Sequence, residues 1–345
     1  MLCCGKCIGD QWLFEKVISS YLEGRGACPL CGAANKPLMK IDEVDELRDR
    51  FEALLGIYRK DENGLPILKL FRDDWCLFED QNINDVNAIK FLSILFGDDV
   101  REGSKFVPSK DFDVPHMESW SDLREELKHV NRFFPKTEFD LERLQNLLKL
   151  LSLSSKMFVS LWFRSRIERD KKSFSATEMG APPPKLAASG RANPVGIPYL
   201  YLSSDEATAV AEVRPHPGDL ICVAKFNIPS DANFVDLRNP RATVSPFLLD
   251  DEQQIGMLRR DIGFLEGLAK ELRTPVLPND AAVDYIPSQY LCELIKDSGF
   301  DGVVYGSSVG DGINLAIFNP SSAKVGLVEE FSVTRVKVSV EKSAH

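Results

Sequence analysis

Residues 190–203 read GRANPVGIPYLYLS, and this stretch decides how the C-terminal half of the chain is interpreted. Its first part is rich in glycine and proline, which is typical of a loop. Its second part mixes aromatic and aliphatic residues, which is typical of a strand. Residues Ser203 to Glu206 have the spacing of a capping box, so the sequence predicts a helix that starts at Ser203. A loop, a strand and a helix that carries Glu212 therefore follow one another here.

The rest of the C-terminal half continues in the same manner, with short β-rich runs between helical segments of unequal length. Such a mixture lacks the regular strand–helix–strand repeat of a doubly wound sheet and predicts an α+β fold. Strands are predicted at 197–202, 220–228, 302–305, 315–318 and 331–340, and helices at 205–213, 251–272 and 289–298.

The preceding part of the chain follows a different pattern. In residues 41–155 the apolar residues recur at intervals of three and four, as in Val44, Leu47, Phe51 and Leu54, which predicts helices. A chain of 345 residues is also long for one core. We therefore expect a zinc-binding segment over 1–39, a helical domain over 40–155 and a mixed α+β domain over 156–345.

Cysteines cluster at the N-terminus, where five of the eight fall within the first 31 residues. Two C-x-x-C pairs, Cys4 with Cys7 and Cys28 with Cys31, each direct two thiolates toward one point, as tetrahedral zinc requires. Four thiolates leave no open coordination position, so a structural zinc ion is expected. Cys3 could take the place of Cys4, and unliganded redox-active thiols are the alternative.

Composition excludes several classes of protein. The net charge of −10 disfavours a broad nucleic-acid surface, because phosphate binding relies on clustered Lys and Arg. There is no run of about 18 uncharged apolar residues, so no spanning helix and no membrane partner is expected. The N-terminus is rich in cysteine where a signal peptide has an apolar run, which predicts a cytoplasmic protein.

The polar residues around 190–216 indicate a function only when they are considered as a set. Taken singly, Arg191 is most simply a loop cation and Glu212 a solvated helix residue. As a set, residues 190–203 and Ala211-Glu212-Val213-Arg214 resemble the signature of the RES domain, which is named for an arginine, a glutamate and a serine. Residues 288–290, 299–308 and 312–318 resemble its second half, in the same order along the chain.

This resemblance implies a fold like that of ADP-ribosyltransferases, and NAD as the substrate. Members of the family are bacterial toxins and related enzymes that degrade NAD or transfer ADP-ribose, and the toxins usually neighbour an antitoxin. Ser308 is an alternative to Ser307, and Arg166 is an alternative to Arg164. Carried over by position, the functional residues are Glu212, Ser307, Arg191 and Tyr201 for catalysis, with Arg164, Arg191, Tyr201 and Ser307 for NAD binding.

Cleavage of NAD would use each of these residue types in a specific way. Cleavage of the nicotinamide–ribose bond passes through a positively charged, oxocarbenium-like state, which the Glu212 carboxylate can stabilise. Arginines can bind the pyrophosphate through paired donors, and Tyr201 offers a flat face to nicotinamide and a hydroxyl to the ribose. Water, phosphate or a protein side chain could accept the ADP-ribose, so a hydrolase and a transferase are both consistent with these residues.

Two other classes of function remain as alternatives. Arg124 and His129 form an R-x4-H spacing, and helical domains fused to RES domains are grouped with the HEPN family, which includes RNases. In an RNase or RNA-sensing protein the RES half would be regulatory. In a non-catalytic protein the zinc segment would be the binding surface for a partner.

Overall fold

A computed structural model describes residues 1–100, 103–112, 120–137, 140–157, 161–168, 173–277 and 279–337. The fold is mixed α+β, as the sequence predicted. The helices are α1 Gln11–Lys16, α2 Asp45–Gly56, α3 Ile67–Trp75, α4 Asp85–Phe96, α5 Trp120–His129, α6 Leu141–Leu150, α7 Glu206–Glu212, α8 Pro240–Thr243, α9 Glu252–Arg273, α10 Ala281–Asp284 and α11 Ile286–Asp297. The strands are β1 Leu2–Cys3, β2 Gly24–Gly26, β3 Lys36–Lys40, β4 Tyr58–Pro66, β5 Lys105–Pro108, β6 Ser152–Ser154, β7 Leu161–Ile167, β8 Leu200–Ser203, β9 Leu220–Asn227, β10 Asn233–Asp236, β11 Gly302–Gly306, β12 Ile313–Ile317 and β13 Lys324–Ser332.

The chain forms two compact units, one of residues 1–118 with 240–265 and one of residues 119–239 with 266–345. In the first unit, β1, β3 and β2 form a small antiparallel sheet, and α2, α3 and α4 surround a core of phenylalanines. The ring of Phe51 lies within 6.4 Å of five other phenylalanine rings, and such contacts stabilise a core beyond simple area burial. The sequence predicted only helices for residues 41–155, whereas β4 and β5 form a two-stranded antiparallel sheet there and β6 is a further strand.

The second unit contains an eight-stranded sheet in the order β13-β9-β7-β8-β12-β11-β10-β6. Only β10 and β11 pair in parallel, and the other neighbours are antiparallel. A core of buried residues, including Trp162, Leu202, Phe226 and Leu315, covers one face of this sheet. Within the part of the chain that the structure describes, no helix has both the length and the apolarity needed to cross a bilayer.

Two predicted boundaries in this unit were wrong. The last strand was expected at 331–340 but spans Lys324–Ser332, and residues 338–340 lie outside the described part. β13 is an edge strand with largely exposed side chains, so its residues lack the apolar alternation of the inner strands. The helix expected to start at Ser203 instead has Asp205 as its N-cap, because Ser203 is still part of β8.

Candidate active site

One row of side chains crosses four neighbouring strands and forms the floor of the candidate site. The antiparallel register places Phe163 of β7 opposite Ser203 of β8, Ser203 opposite Asn314 of β12, and Asn314 opposite Tyr305 of β11. Residues directly opposite each other point to the same face of a sheet, while their chain neighbours point to the other face. Trp162, which precedes Phe163, lies in the apolar core. The row of four therefore occupies the opposite face.

The helix that carries Glu212 has well-defined ends. At its start, the Asp205 carboxylate accepts a hydrogen bond of 2.8 Å from the backbone N–H of Thr208. At its end, Arg214 has a left-handed φ of 50° and is followed by Pro215, which disfavours a helical conformation in the residue before it. Glu212 is therefore the last residue of α7.

Two side chains hold the carboxylate of Glu212. The hydroxyl of Ser307 donates to Oε1 at 2.7 Å, and Nδ2 of Asn314 donates to the same oxygen at 2.6 Å. Asn314 is oriented in turn by Ser203, whose hydroxyl donates to its Oδ1 at 2.8 Å. The Glu212 side chain is exposed, and no described residue donates a hydrogen bond to its Oε2. This second oxygen is therefore free to contact a ligand.

Ser307 begins the loop that joins β11 to β12. Its hydroxyl oxygen accepts hydrogen bonds from the backbone N–H groups of Val309 at 3.2 Å and Gly310 at 3.0 Å. Its own backbone N–H donates to the carbonyl of Gly312 at 3.1 Å. With its oxygen accepting twice, the hydroxyl donates its proton to Oε1 of Glu212. Ser308 makes no side-chain hydrogen bond in the described chain, so Ser307 is the serine that reaches the carboxylate.

Tyr201 fastens the loop that carries the signature arginine. Its hydroxyl donates to Oδ1 of Asn193 at 2.7 Å and accepts from the backbone N–H of Ala192 at 2.9 Å. A Cβ atom at Gly190 would lie only 2.6 Å from this hydroxyl, so the close approach requires glycine. Burial raises the pKa of Tyr201 well above its ordinary value and keeps the hydroxyl protonated. The hydroxyl that the sequence assigned to the ribose is therefore bonded to the loop.

Arg191 extends from this loop toward the end of α9. Its Nη1 donates to the carbonyl of Thr274 at 2.6 Å, and its guanidinium carbon lies 5.4 Å from the ring centre of Tyr285. Its own carbonyl accepts a hydrogen bond of 2.6 Å from the hydroxyl of Ser288. Burial raises the pKa of Tyr305 well above its usual value, and the charge of Arg191 opposes that rise. The guanidinium is thus held between the end of α9 and the ring of Tyr285.

Arg164 lies where β7 and β8 separate. The two strands pair at a single position, Phe163 with Ser203, and beyond it the carbonyl of Tyr201 accepts from Nη1 of Arg164 at 3.0 Å. Burial, together with the charge of Arg166, lowers the pKa of Arg164 to about 10, which leaves it charged at neutral pH. Its Nε is buried and has no hydrogen-bond partner among the described residues. A buried donor without an acceptor costs free energy. The Nε–H of Arg164 could therefore gain a hydrogen bond from a bound ligand.

A cavity of about 260 Å³ lies against the row of side chains. Its walls include Arg164, Tyr201, Tyr305 and Asn314, and Glu212 also lines it. A carboxylate beside a partly enclosed, aromatic cavity can stabilise positive charge that develops on a bound ligand. Neither Arg191 nor Ser307 lines this cavity, and Ser307 is linked to it by its hydrogen bond to Glu212.

Sequence reasoning missed Asn314 and Ser203 as members of the site. Asn314 stands in an otherwise apolar strand, INLAI, and it is buried. A buried amide in such a strand needs hydrogen-bond partners, and this was the available signal. The identity of those partners depends on the register between β8, β12 and β11, which the sequence does not determine.

The N-terminal cysteines form a second candidate site. The Sγ atoms of Cys4, Cys7, Cys28 and Cys31 all lie within 4.8 Å of one another. The distances from Cys4 are 3.9 Å to Cys7 and 3.5 Å to Cys31, and Cys7 lies 3.5 Å from Cys28. Four sulfurs at 2.3 Å from a tetrahedral zinc ion are about 3.8 Å apart, so the group could hold a metal ion of this kind. Cys3 is outside the group, and its thiol donates to the carbonyl of Cys4.

The R-x4-H pair on α5 contacts carboxylates. Nε of Arg124 donates to Oε1 of Glu271 at 2.7 Å, and its Nη1 contacts Glu125 at 2.5 Å. His129 is exposed, with its Nε2 3.8 Å from a carboxylate oxygen of the same Glu125. These contacts are those of an ion-paired helix surface and give no support to a nuclease site.

Comparison with known proteins covers the C-terminal half. A family model described as the RES domain matches residues 162–335, which is half of the chain. No curated protein sequence matches the chain. Among solved structures, the chain is similar to one in the crystal structure of the M. tuberculosis MbcT–MbcA toxin–antitoxin complex, at 14% identity over 56% of this chain and 94% of that chain. The TM-score is 0.33, and at that value the likeness carries no argument.

Proposed function

The chain belongs to the RES domain family, and on that premise we propose that its C-terminal half cleaves NAD at the bond between nicotinamide and ribose. The observation that carries this proposal is the carboxylate of Glu212, which two side chains fix at one oxygen while the other oxygen is free. A fixed carboxylate beside an aromatic cavity suits a reaction in which positive charge develops on a sugar carbon.

The proposed step breaks one bond and forms one. The bond between ribose C1′ and the nicotinamide nitrogen breaks, and its electron pair goes to nicotinamide, which leaves as a neutral amine. The acceptor oxygen then forms a bond to C1′ and releases its proton to solvent or to Glu212. Oε2 of Glu212 faces the charged C1′, while Ser307 and Asn314 hold Oε1 and keep the carboxylate in one orientation.

The remaining residues bind and position NAD. We assign the pyrophosphate to Arg191 and Arg164, because a guanidinium offers paired donors to phosphate oxygens. The ring of Tyr201 lines the cavity and offers a face to nicotinamide, while its hydroxyl holds the loop of Arg191 in place. Water as the acceptor would make the enzyme a hydrolase, whereas phosphate or a protein side chain would make it a transferase.

In the N-terminal unit we propose a structural zinc ion. Cys4, Cys7, Cys28 and Cys31 would supply four thiolates, and the distances among their sulfurs fit tetrahedral coordination. When bound, zinc would link the first C-x-x-C pair to the second and stabilise the small sheet around them. Residues 1–39 would then be a zinc-binding segment, followed by a helical domain over 40–155 and a catalytic domain over 156–345.

The biological role proposed with this activity is that of a bacterial toxin or defence effector that acts through NAD. Depletion of NAD harms the cell that contains the enzyme, so such a protein needs control by an antitoxin or another regulatory partner. The region that precedes the matched segment is the part of the chain available for such control.

The experiment that tests the activity is incubation of the purified full-length chain with NAD, followed by chromatography of nicotinamide and ADP-ribose. Glu212→Gln removes one charge and keeps the shape of the side chain, so we expect a loss of roughly a hundredfold or more in rate. Glu206→Gln is the matched control, because Glu206 is the first residue of the same helix and does not contact Ser307 or Asn314. Release of nicotinamide by Glu212→Gln at the wild-type rate would remove Glu212 from the mechanism.

A further inference from the structure

Arg273, the last residue of α9, packs against the end of β11. A Cβ atom at Gly306 would lie 3.4 Å from Nε of Arg273, 3.6 Å from its Cδ and 3.8 Å from its Cζ. The guanidinium therefore lies over Gly306, and the next residue is Ser307, which holds the carboxylate of Glu212. No family motif and no step proposed above uses Arg273.

Among the residues that the structure describes, this guanidinium has no partner of opposite charge. Within the described chain, Arg273 forms no ion pair and no side-chain hydrogen bond. The carboxylate closest to it in sequence, Glu271, is bonded to Arg124 instead. The side chain of Arg273 is exposed, so a molecule from solvent can reach it.

Arg191 lies near the same end of α9. Its Nη1 is bonded to the carbonyl of Thr274, the residue that follows Arg273, and its charge acts on Tyr305, the residue that precedes Gly306. Arg191 also has no ion pair within the part of the chain that the structure describes. Two guanidinium groups thus lie near one strand end, and in the described chain neither is paired with a carboxylate, although the chain has 52 acidic residues and 42 lysines and arginines.

Two neighbouring cations repel each other, and an anion between them removes that repulsion. We propose that Arg273 and Arg191 together form an anion subsite beside Ser307 and Glu212, and that it takes the phosphate groups of a nucleotide. This inference rests on the proposed function. It adds Arg273, which lies outside the family motifs, as a contact for the phosphate groups. A guanidinium suits this role because its planar donors match phosphate oxygens two at a time.

The simpler role for Arg273 is that of a cation at a helix C-terminus, where it would interact favourably with the helix dipole. That role would affect stability slightly and would not affect ligand binding. The two roles are therefore separated by measurements of binding and of melting temperature on the same variants.

The test is calorimetric titration of ADP-ribose into the full-length wild type, Arg273→Gln and Lys270→Gln. ADP-ribose carries both phosphates and does not turn over, so the measurement needs no catalysis. Lys270 is an exposed cation in the last turn of the same helix, which makes it the matched control for charge and for the dipole. Loss of a charge-assisted contact predicts affinity roughly tenfold or more weaker in Arg273→Gln, with Lys270→Gln unchanged. Adenosine, which lacks phosphate, should bind equally weakly to all three proteins.

Several outcomes would overturn the subsite. Equal affinity of Arg273→Gln and wild type for ADP-ribose would do so, as would an equal loss in Lys270→Gln, which would indicate a general effect of net charge. Failure of the wild type to bind ADP-ribose would do so as well. If ADP-ribose binding depends on Arg273 but the wild type releases no nicotinamide from NAD, the subsite stands and the proposed cleavage fails.

Discussion

Nδ2 of Asn314 lies 2.6 Å from Oε1 of Glu212 and donates a hydrogen bond to it. The amide cannot rotate freely, because its Oδ1 accepts a hydrogen bond of 2.8 Å from the hydroxyl of Ser203. A strand residue thus fixes a carboxylate at the end of a helix, through a contact between residues 102 positions apart in the chain. The catalytic geometry that we propose depends on this relationship as much as on Glu212 itself.

The first prediction is that Asn314 variants lose turnover rather than substrate affinity. Asn314→Ala removes one of the two donors to Oε1, and Asn314→Asp puts a second negative charge beside it. We expect kcat for NAD cleavage to fall roughly tenfold to a hundredfold with KM changed little, because the loss concerns orientation of a group that acts in the transition state. Steady-state kinetics with melting temperatures would check this. A change confined to KM would contradict it.

A second prediction separates the two adjacent serines. Ser307→Ala removes the other donor to Glu212 and leaves the backbone N–H groups of Val309 and Gly310 without their acceptor. Ser308→Ala is the matched control, since Ser308 makes no side-chain hydrogen bond in the described part of the chain. We expect NAD cleavage to fall at least tenfold in Ser307→Ala and to remain at the wild-type level in Ser308→Ala. Equal rates in the two variants would exclude Ser307 as a positioning residue.

Most elements of the C-terminal half could be predicted from the sequence, but the strands β7 and β10 were missed. Glycine and proline marked the loop before Tyr199, and β-rich residues marked β8, β9, β11 and β12 within a few positions. These signals are local, because they depend on dihedral preferences and on alternation along one segment. The edge strand β13 was misplaced because solvent on its exposed side chains removes the alternation.

The contacts of the site were less accessible from the sequence. Ser203 was predicted to cap a helix, but it ends a strand and bonds to Asn314 instead. Tyr201 was assigned to the ribose, and its hydroxyl is occupied by the loop. Both outcomes depend on which strands are neighbours in the sheet, and the pairing of β8 with β12 joins segments more than 100 residues apart. No local pattern contains that information.

A third prediction concerns the hydroxyl of Tyr201. Tyr201→Phe keeps the ring at the cavity wall and removes the hydrogen bonds to Asn193 and to the backbone of Ala192. Because two buried partners lose their bond, we expect the free energy of unfolding to fall by about 1 to 3 kcal/mol. The loop that carries Arg191 should also loosen, so KM for NAD should rise. Denaturant unfolding and kinetics on one preparation would measure both. If KM rises without any loss of stability, the hydroxyl contacts the substrate and not the loop.

The fourth prediction concerns the metal and decides between Cys3 and Cys4. Cys4→Ser and Cys28→Ser should each lose zinc and lower the stability of the N-terminal unit, because binding of a structural metal ion is coupled to folding. Cys3→Ser should retain one zinc per chain, since its thiol lies outside the group of four. Metal analysis of proteins expressed with added zinc gives the answer. Well under one equivalent in the wild type would contradict the site altogether.

The last prediction tests whether Arg191 contributes to NAD affinity, separately from any effect on the cleavage step. Lysine keeps the charge but lacks the planar pair of donors, so Arg191→Lys should not be conservative if the guanidinium binds phosphate. In the Glu212→Gln background, where cleavage of NAD is slowed roughly a hundredfold or more, we expect NAD affinity to fall roughly tenfold on calorimetric titration. Arg132→Lys is the control, because Arg132 is an exposed loop arginine without a partner in the described residues. A solvated loop cation tolerates lysine, so unchanged affinity in Arg191→Lys would place Arg191 in that class and leave Arg164 and Arg273 as the phosphate contacts.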